Sequence, residues 1–243
     1  MRQRRPATSR KGRSRRPSSV HRARRAAGGG PPVSRDHRRM HEATWSRAEA
    51  VACLDASDRR ASQDPELLWR RVGLKRGDTV VDVGAGTGYY SFPAAARVGP
   101  DGRVFAVDTS PELVDLVRER ASERALSNVV SVLSTRIRIP IEDAVADVAI
   151  LANVLHGIPP KTVDEAVRLL RPGGLLVNVD WKKETTPEGP PVEHRLSPAE
   201  ATAALTARGL VPVESFDLGP YHYVLVLQRP RPSRHPSRLI SAE

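Results

Sequence analysis

Three glycines at every second position follow a short apolar run that carries one acid. Residues 80–88 read VVDVGAGTG, with Asp82 two residues before the first glycine. Glycines at such a turn let the backbone bend sharply and approach a ligand with no Cβ in the way. The dinucleotide fingerprint GxGxxG requires a glycine where this chain has Tyr89, so the spacing disfavours an NAD-dependent oxidoreductase. The run predicts a nucleoside-cofactor site of another kind.

A second acid lies 20 residues after Gly88. Asp108 ends a predicted strand, where a parallel α/β fold presents a carboxylate to ribose hydroxyls. Ser110 and Pro111 open the next helix, so Asp108 could also serve as its N-cap. Asp108 could bind a ribose and cap the helix at once. Ribose binding is favoured because an acid stands at the end of a predicted strand and at the expected distance from the glycines.

Strands and helices alternate along most of the chain. The predicted strands are residues 80–83, 103–108, 128–133, 147–153, 175–180, 211–218 and 221–228, and the predicted helices are residues 89–98, 111–125, 162–170 and 197–208. Residues 171–174, RPGG, predict a helix-ending turn, and Gly219-Pro220 predicts a closing hairpin. The pattern predicts an α/β fold that is Rossmann-like and doubly wound, with a mostly parallel seven-stranded sheet and an antiparallel C-terminal strand.

The DxGxGxG run of residues 82–88 resembles motif I of the class I S-adenosylmethionine (SAM) methyltransferases. Residues 151–156, LANVLH, match the strand-four signature, and residues 171–176, RPGGLL, resemble a motif of the small-molecule branch, which includes quinone-ring and arsenite methyltransferases. The resemblance covers about residues 61–229. It implies SAM as the cofactor, with these candidate contacts: Asp82, Gly84, Ala85, Gly86, Thr87, Gly88, Asp108, Thr109, Ser134, Thr135 and Asn153.

Two positions set this chain apart from parts of that family. Many members carry an acid after strand three that binds the adenine amino group, whereas this chain has Ser134 and Thr135 there. Arsenite methyltransferases hold arsenic with several thiolates, and Cys53 is the single cysteine of the sequence. Arsenite is therefore not the expected acceptor. The segment of residues 40–66 stands where related enzymes place a lid, and an amphipathic helix on the sheet is the simpler interpretation of it.

Methyl transfer from SAM is an in-line displacement, so the protein mainly aligns the acceptor and excludes water. A general base is needed for a hydroxyl or an acidic carbon, and it should lie beyond the carboxyl ends of strands four and five. His156 follows strand four and Asp180 ends strand five, which makes them the catalytic candidates. His156 could equally be a partly buried structural residue that caps the loop before Pro159.

The excess of positive over negative charge lies at one end of the chain. The sequence has 39 Lys and Arg against 28 Asp and Glu, a net charge of +11. Residues 1–40 hold 14 basic residues and one acid, which leaves the remaining 203 residues at a net charge of −2. A tail of Arg, Ser, Pro and Gly buries too little apolar surface to offset its ordering entropy. We therefore expect a disordered tail over residues 1–39, one domain over 40–229 and a second disordered tail over 230–243.

Three interpretations of residues 1–39 stay open. The segment could be a nucleic-acid-binding arm, a transit peptide or the product of an upstream, wrongly assigned start codon. The third is favoured because the chain has only two methionines, Met1 and Met40, and Met40 stands where ordered-looking sequence begins.

The remaining composition narrows the class further. A single cysteine excludes an intrachain disulfide and suits a reducing, cytoplasmic location. No run reaches the ~18 apolar residues of a membrane span, no secretory signal follows the basic start, and no cysteine or histidine spacing suggests a metal site.

The sequence thus predicts a cytoplasmic SAM-dependent methyltransferase that acts on a small molecule without nucleic-acid or membrane partners; it does not specify the oligomeric state. A nucleic-acid methyltransferase that uses the basic arm is the first alternative. A catalytically silent SAM-binding protein is the second.

Overall fold

The computed structural model describes residues 46–55 and 59–232. The predicted tails, apart from residues 230–232, lie outside the described residues. Seven strands form one sheet in the order β3-β2-β1-β4-β5-β7-β6. Their bounds are β1 Thr79–Val83, β2 Arg103–Asp108, β3 Val129–Leu133, β4 Ala146–Ala152, β5 Leu170–Trp181, β6 Val211–Leu218 and β7 His222–Gln228. The first five strands pair in parallel, and β7 pairs antiparallel with both β5 and β6. The predicted fold class is confirmed.

Helices flank the sheet and precede it. Their bounds are α1 Arg47–Leu54, α2 Arg59–Ser62, α3 Pro65–Val72, α4 Ser91–Val98, α5 Pro111–Glu123, α6 Pro160–Leu169 and α7 Pro198–Thr206. A short 3-10 turn, Val192–His194, lies between β5 and α7.

The central strand β4 is buried on both faces. Ala149 and Leu151 pack into one hydrophobic cluster, and Val148 and Ile150 pack into the other. Successive side chains of a strand point to opposite faces, so a nearly continuous apolar run is what a doubly covered parallel strand requires. The core therefore lies on both sides of β4, and the carboxyl ends of the parallel strands meet along one edge.

The start of β5 departs from the predicted helix-ending turn. Leu170 directly follows α6 and pairs with Ala146, after which the β4–β5 register shifts. Gly173 has φ +87° and its N–H donates to the Arg229 carbonyl, while the Arg229 N–H donates to the Gly174 carbonyl. Because the chain beyond β7 supplies these hydrogen bonds, the predicted turn becomes the bulged beginning of a strand.

The helix α1 packs on another helix rather than on the sheet. Ala50 forms a small apolar cluster with Leu113 and Leu116 of α5. The backbone N–H of Arg47 donates to the Glu112 carboxylate at 2.8 Å. This placement contradicts the simpler prediction of an amphipathic helix on the sheet and puts α1 beside the turn that follows β1.

Candidate functional site

The glycine turn after β1 is held to the neighbouring strand. Gly84, Gly86 and Gly88 have φ values of +78°, +56° and +85°, which L residues with side chains rarely adopt. The backbone N–H groups of Gly84 and Ala85 both donate to the Val107 carbonyl, at 2.8 and 2.9 Å. The turn is therefore a fixed cradle at the carboxyl edge of the sheet.

A side chain at these glycines would meet atoms that are already in place. A Cβ on Gly84 would lie 2.8 Å from Val154 Cγ1, and one on Gly88 would overlap the Phe92 ring. A Cβ on Gly86 would lie 3.0 Å from Leu54 Cδ1 of α1. The sequence requirement for glycine thus has both a conformational and a steric cause.

Asp108 connects β2 to this cradle. One carboxylate oxygen accepts the Gly86 N–H at 2.9 Å, and the other accepts the Ser110 N–H at 3.0 Å. Burial raises the pKa of Asp108, and these backbone hydrogen bonds oppose the shift. The N-cap of α5 is Ser110, whose hydroxyl accepts the Leu113 N–H, so the alternative N-cap role of Asp108 is wrong.

Asp82 lies beneath the turn, within the core. Its side chain is 2% exposed and accepts a hydrogen bond of 2.6 Å from the Ser91 hydroxyl at the start of α4. Burial raises the pKa of Asp82 to about 6, against the Ser91 hydrogen bond, which lowers it. The contact ties α4 to β1 directly below the cradle.

Replacing Asp82 by Asn is expected to change how stability depends on pH. A carboxyl whose pKa rises from 3.8 to about 6 on folding stabilises the native state below pH 4, and this contribution is lost as pH rises through 6. Since Asn does not ionise, Asp82→Asn should gain up to about 2–3 kcal/mol over the natural protein as pH rises from 4.5 to 7.5. Urea unfolding at several pH values measures this difference, and Asp217→Asn on the surface serves as the control. Parallel stability curves would contradict the buried ionisation.

The side chains after β3 are engaged with the backbone. Ser134 donates its N–H to the Asp108 carbonyl at 2.9 Å, and its hydroxyl lies 3.4 Å from the same oxygen. The Thr135 hydroxyl donates to the Arg138 carbonyl at 3.3 Å, and Thr135, like Thr109, is exposed. The predicted adenine contacts thus lie at the expected edge, and their role stays a prediction.

Asn153 follows β4 in a left-handed conformation, with φ +58°. Its backbone N–H donates to the Val179 carbonyl at 2.7 Å, and its Nδ2 donates to Gln63 Oε1 at 2.8 Å. Its Oδ1 is buried and has no hydrogen-bond partner among residues 46–55 and 59–232. A buried polar atom without a partner is costly, so a ligand that donates a hydrogen bond there would remove the penalty.

The fold brings His156 and Asp180 into contact. His156 Nδ1 lies 2.9 and 3.1 Å from the two carboxylate oxygens of Asp180, and the side chains are 1% and 0% exposed. The Trp181 N–H also donates to Asp180 Oδ1 at 2.9 Å. The pair arises because β4 and β5 lie side by side in parallel, with Ala152 opposite Val179. Asp180 therefore fixes the orientation of the His156 ring.

A three-residue contact holds α1 against the cradle. Asp55 accepts hydrogen bonds of 2.6 Å from the Thr87 hydroxyl and from the Arg120 guanidinium of α5. Arg120 also donates to the Thr87 carbonyl at 3.1 Å. Sequence reasoning did not find Asp55 and Arg120, because they lie 32 and 33 residues from Thr87 and form no motif with it.

One buried arginine organises the loop that follows β5. Arg195 is 3% exposed, and its guanidinium lies 5.2 Å from the Trp181 ring. It donates at 2.7–3.2 Å to the carbonyls of Lys182, Glu184, Glu188 and Pro190 and to the Thr186 hydroxyl. The loop is therefore a compact wall next to the strand end that carries Asp180.

The described part of the chain lacks a cluster of metal ligands and a membrane-spanning helix. Residues 46–55 and 59–232 contain no cluster of three or more His, Cys, Asp and Glu side chains suited to a metal ion. Across the same residues, every helix is too short or too polar to span a bilayer.

Comparisons with known proteins agree with this geometry. The sequence model of the family described as "Methyltransferase domain" matches residues 74–206. The crystal structure of a SAM-dependent methyltransferase from Aquifex aeolicus is 31% identical and superposes with a TM-score of 0.72, over 76% of this chain and 100% of that one.

Curated relatives match over shorter stretches. An arsenite methyltransferase from Halobacterium salinarum is 39% identical over 100 residues, which cover 40% of this chain and 26% of that protein. A demethylmenaquinone methyltransferase from Lactococcus lactis subsp. lactis is 28% identical over 127 residues, or 49% of this chain and 50% of that protein. The chain thus spans half or less of the length of these two relatives.

Proposed function

This chain belongs to the SAM-dependent methyltransferases, and from that premise we propose that it transfers a methyl group from SAM to a small-molecule acceptor. The observation that carries the proposal is the fixed glycine cradle beside Asp108 and the buried, unpartnered Asn153 Oδ1. The cradle supplies open backbone, Asp108 supplies a carboxylate for ribose hydroxyls, and Asn153 supplies an acceptor for an ammonium group. These residues fit a nucleoside that ends in an amino acid.

The residues near the acceptor end of the site suit proton removal. When bound, SAM supplies a methyl carbon activated by a positively charged sulfonium. With Nδ1 of His156 held by Asp180, Nε2 is the nitrogen that would take a proton from the acceptor. The adjacent carboxylate would stabilise the resulting imidazolium. The loop around Arg195 and the helix α1 would limit the access of water.

This chemistry narrows the acceptor class. A buried histidine–carboxylate pair helps an acceptor that must lose a proton, such as a phenol, a hydroquinone or an acidic carbon. The relative named for demethylmenaquinone supports a ring acceptor of this class. The relative named for arsenite is less informative, because the single cysteine of this chain cannot supply several thiolates.

The alternative to a small-molecule acceptor is a nucleic acid. The residues beyond position 40 carry a net charge of −2, which does not attract a polyanion. If the chain binds RNA or DNA through basic side chains, we expect residues 1–39 to supply them.

Titration calorimetry of the full chain with SAM, S-adenosylhomocysteine and NAD tests the cofactor. We expect micromolar binding of the first two ligands and no response to NAD. Methyl transfer from labelled SAM to a panel of hydroquinones, phenols and short oligonucleotides then tests the acceptor class. Binding of NAD alone would overturn the cofactor, SAM binding without transfer would favour a silent binding protein, and transfer only to oligonucleotides would favour the alternative.

A further inference from the structure

The segment of residues 59–64, which lies between α1 and α3, has little apolar surface to fix it in place. Its sequence is RRASQD, and its one apolar side chain, that of Ala61, is exposed. The two residues that it buries, Ser62 and Gln63, are polar and are 7% and 3% exposed. Because apolar burial is the main force that holds a segment to a protein, segment 59–64 depends on specific polar and backbone contacts.

Gln63 connects segment 59–64 to the candidate site. Its Oε1 accepts a hydrogen bond of 2.8 Å from Asn153 Nδ2 and one of 3.1 Å from the Tyr90 hydroxyl. Its carbonyl accepts a hydrogen bond of 3.0 Å from the Tyr89 hydroxyl. A displacement of the segment would break these three hydrogen bonds, so the position of Gln63 determines that of the Asn153 amide.

The turn between β6 and β7 lies directly against the residue before Gln63. Gly219 has φ +67°, and a Cβ built on it would lie 2.5 Å from the carbonyl oxygen of Ser62 and 2.8 Å from its carbonyl carbon. Any other residue at position 219 must therefore displace the Ser62 backbone or the turn. Gly209 is the matched glycine without such a contact, because it has φ +78° and no atom within 4 Å of an added Cβ.

His222, the first residue of β7, lies beside the same serine. The Ser62 backbone faces its ring, which is fully buried and lies 4.1 Å from the Trp181 ring. Neither ring nitrogen has a hydrogen-bond partner of ordinary geometry among residues 46–55 and 59–232. A buried imidazole without partners is tolerated far better when neutral than when charged, because the charged form has two donors to satisfy.

The surroundings of His222 oppose its protonation. Burial lowers the pKa of His222 to about 3, and neighbouring cations lower it further, against the Ser62 backbone, which raises it. These cations are Arg59 of α2 and Lys182 and Arg195 of the loop after β5. On β6, Leu218 opposite His222 is apolar, and the Asp217 carboxylate pairs with Lys182 at 2.8 Å. Since β7 is paired on both sides, segment 59–64 is the part that would give way to a charged ring.

We propose that Gly219 and His222 are positioning residues that hold segment 59–64 against the site, and that a proton on His222 releases the segment. Gly219 leaves room for the Ser62 backbone, and the neutral His222 ring packs beside it. The two residues act on the site through Gln63. The effect on ligand binding rests on the proposed function, whereas the contact with the segment does not.

Hydrogen exchange of the full chain, followed by mass spectrometry, tests the effect of the proton. Once segment 59–64 opens, the His222 ring should regain its ordinary pKa of about 6.5, so opening should be up to about 30-fold more favourable at pH 5.0 than at pH 7.5. Peptides from residues 59–68 should lose protection by up to that factor, while peptides from β4 keep theirs. His222→Gln should remove the pH dependence, and His194→Gln, which changes an exposed histidine, should retain it.

Gly219→Ala tests the contact with Ser62 by the same method at pH 7.5. The protection of residues 59–68 should fall by about 10- to 100-fold, because packing an extra methyl group against a backbone is costly. Gly209→Ala introduces the same backbone strain and should leave these peptides unchanged. If Gly219→Ala lowers protection only in the hairpin, or if His222→Gln keeps the pH dependence, the proposal is wrong.

Titration with S-adenosylhomocysteine tests the route through Gln63. Gly219→Ala and Gln63→Met should each weaken binding by about 5- to 10-fold, the size of a lost hydrogen bond, and Gly209→Ala should not. The double variant should lose no more than the weaker single variant, because both changes remove the same contacts. Additive losses, or an unchanged affinity in Gly219→Ala, would overturn the route through Gln63. If the natural protein does not bind this ligand while the exchange results hold, the proposed function fails and the contact with the segment stands.

Discussion

Asp180→Asn is expected to lower the rate of methyl transfer by about 10²- to 10⁴-fold, the range typical of a lost general base. The Trp181 N–H requires an acceptor at Oδ1, so the amide oxygen of Asn should stay there and its NH₂ should replace Oδ2, 3.1 Å from His156 Nδ1. The neutral amide removes the negative charge that would stabilise the imidazolium formed when Nε2 takes a proton from the acceptor. The rate is measured with labelled SAM and the best acceptor of the panel.

His156→Gln should cause a loss of the same size, and the double variant should lose no more than either single one, because the two side chains act as one unit. Asp217→Asn and His194→Gln, which change exposed residues of the same types, are the controls. Calorimetry should give SAM affinities within about 3-fold for all variants. If both site variants keep their rate while the acceptor still turns over, the pair supports only the fold and the acceptor loses its proton to water.

Gly86→Val is expected to weaken S-adenosylhomocysteine by about 100-fold or more, equivalent to about 3 kcal/mol. Gly86 has φ +56°, its N–H donates to Asp108, and an added Cβ would lie 3.0 Å from Leu54. A branched side chain would therefore displace α1 or the turn and break the hydrogen bond between the Gly86 N–H and Asp108.

The control for backbone strain is Gly209→Val. Gly209 has φ +78° and no atom within 4 Å of an added Cβ. Both variants should lose about 1–2 kcal/mol of folding stability for a side chain in the left-handed region, whereas only Gly86→Val should lose affinity. Should Gly86→Val fail to fold, Gly86→Ala is titrated instead. Equal affinities for the two substituted proteins would show that the ligand does not use this turn.

The site depends on contacts between segments that are distant in the chain. Arg120 of α5 and Asp55 after α1 meet at Thr87, and Gln63 between α2 and α3 meets Asn153 after β4. These contacts place the helices that precede β1 against the cradle and against the end of β4. Side chains from the segment before β1 therefore lie at the candidate site together with the strand ends.

Much of the architecture could be predicted because it depends on local patterns. The apolar run 147–153 predicted a strand buried on both faces, and the structure has β4 at Ala146–Ala152 with a separate hydrophobic cluster on each side. The spacing of Gly84, Gly86 and Gly88 determined a turn with positive φ, because only glycine adopts that backbone without a steric penalty. The place of Asp108 at the end of β2 was predicted from the apolar run before it, and its role toward a ribose stays a prediction. Periodicity and φ preferences are properties of a few adjacent residues, so they can be read from the chain alone.

Tertiary structure decided what depends on residues far apart. The 2.9 Å contact of His156 with Asp180 required β4 and β5 to lie in parallel and in register. The bulged start of β5 required hydrogen bonds with Arg229, and the choice of Ser110 over Asp108 as N-cap required the Gly86 N–H to bind Asp108. Gln63 meets Asn153 only because the segment between α2 and α3 lies beside the end of β4. A side chain acquires these partners through the path of the whole backbone, and no local pattern contains that path.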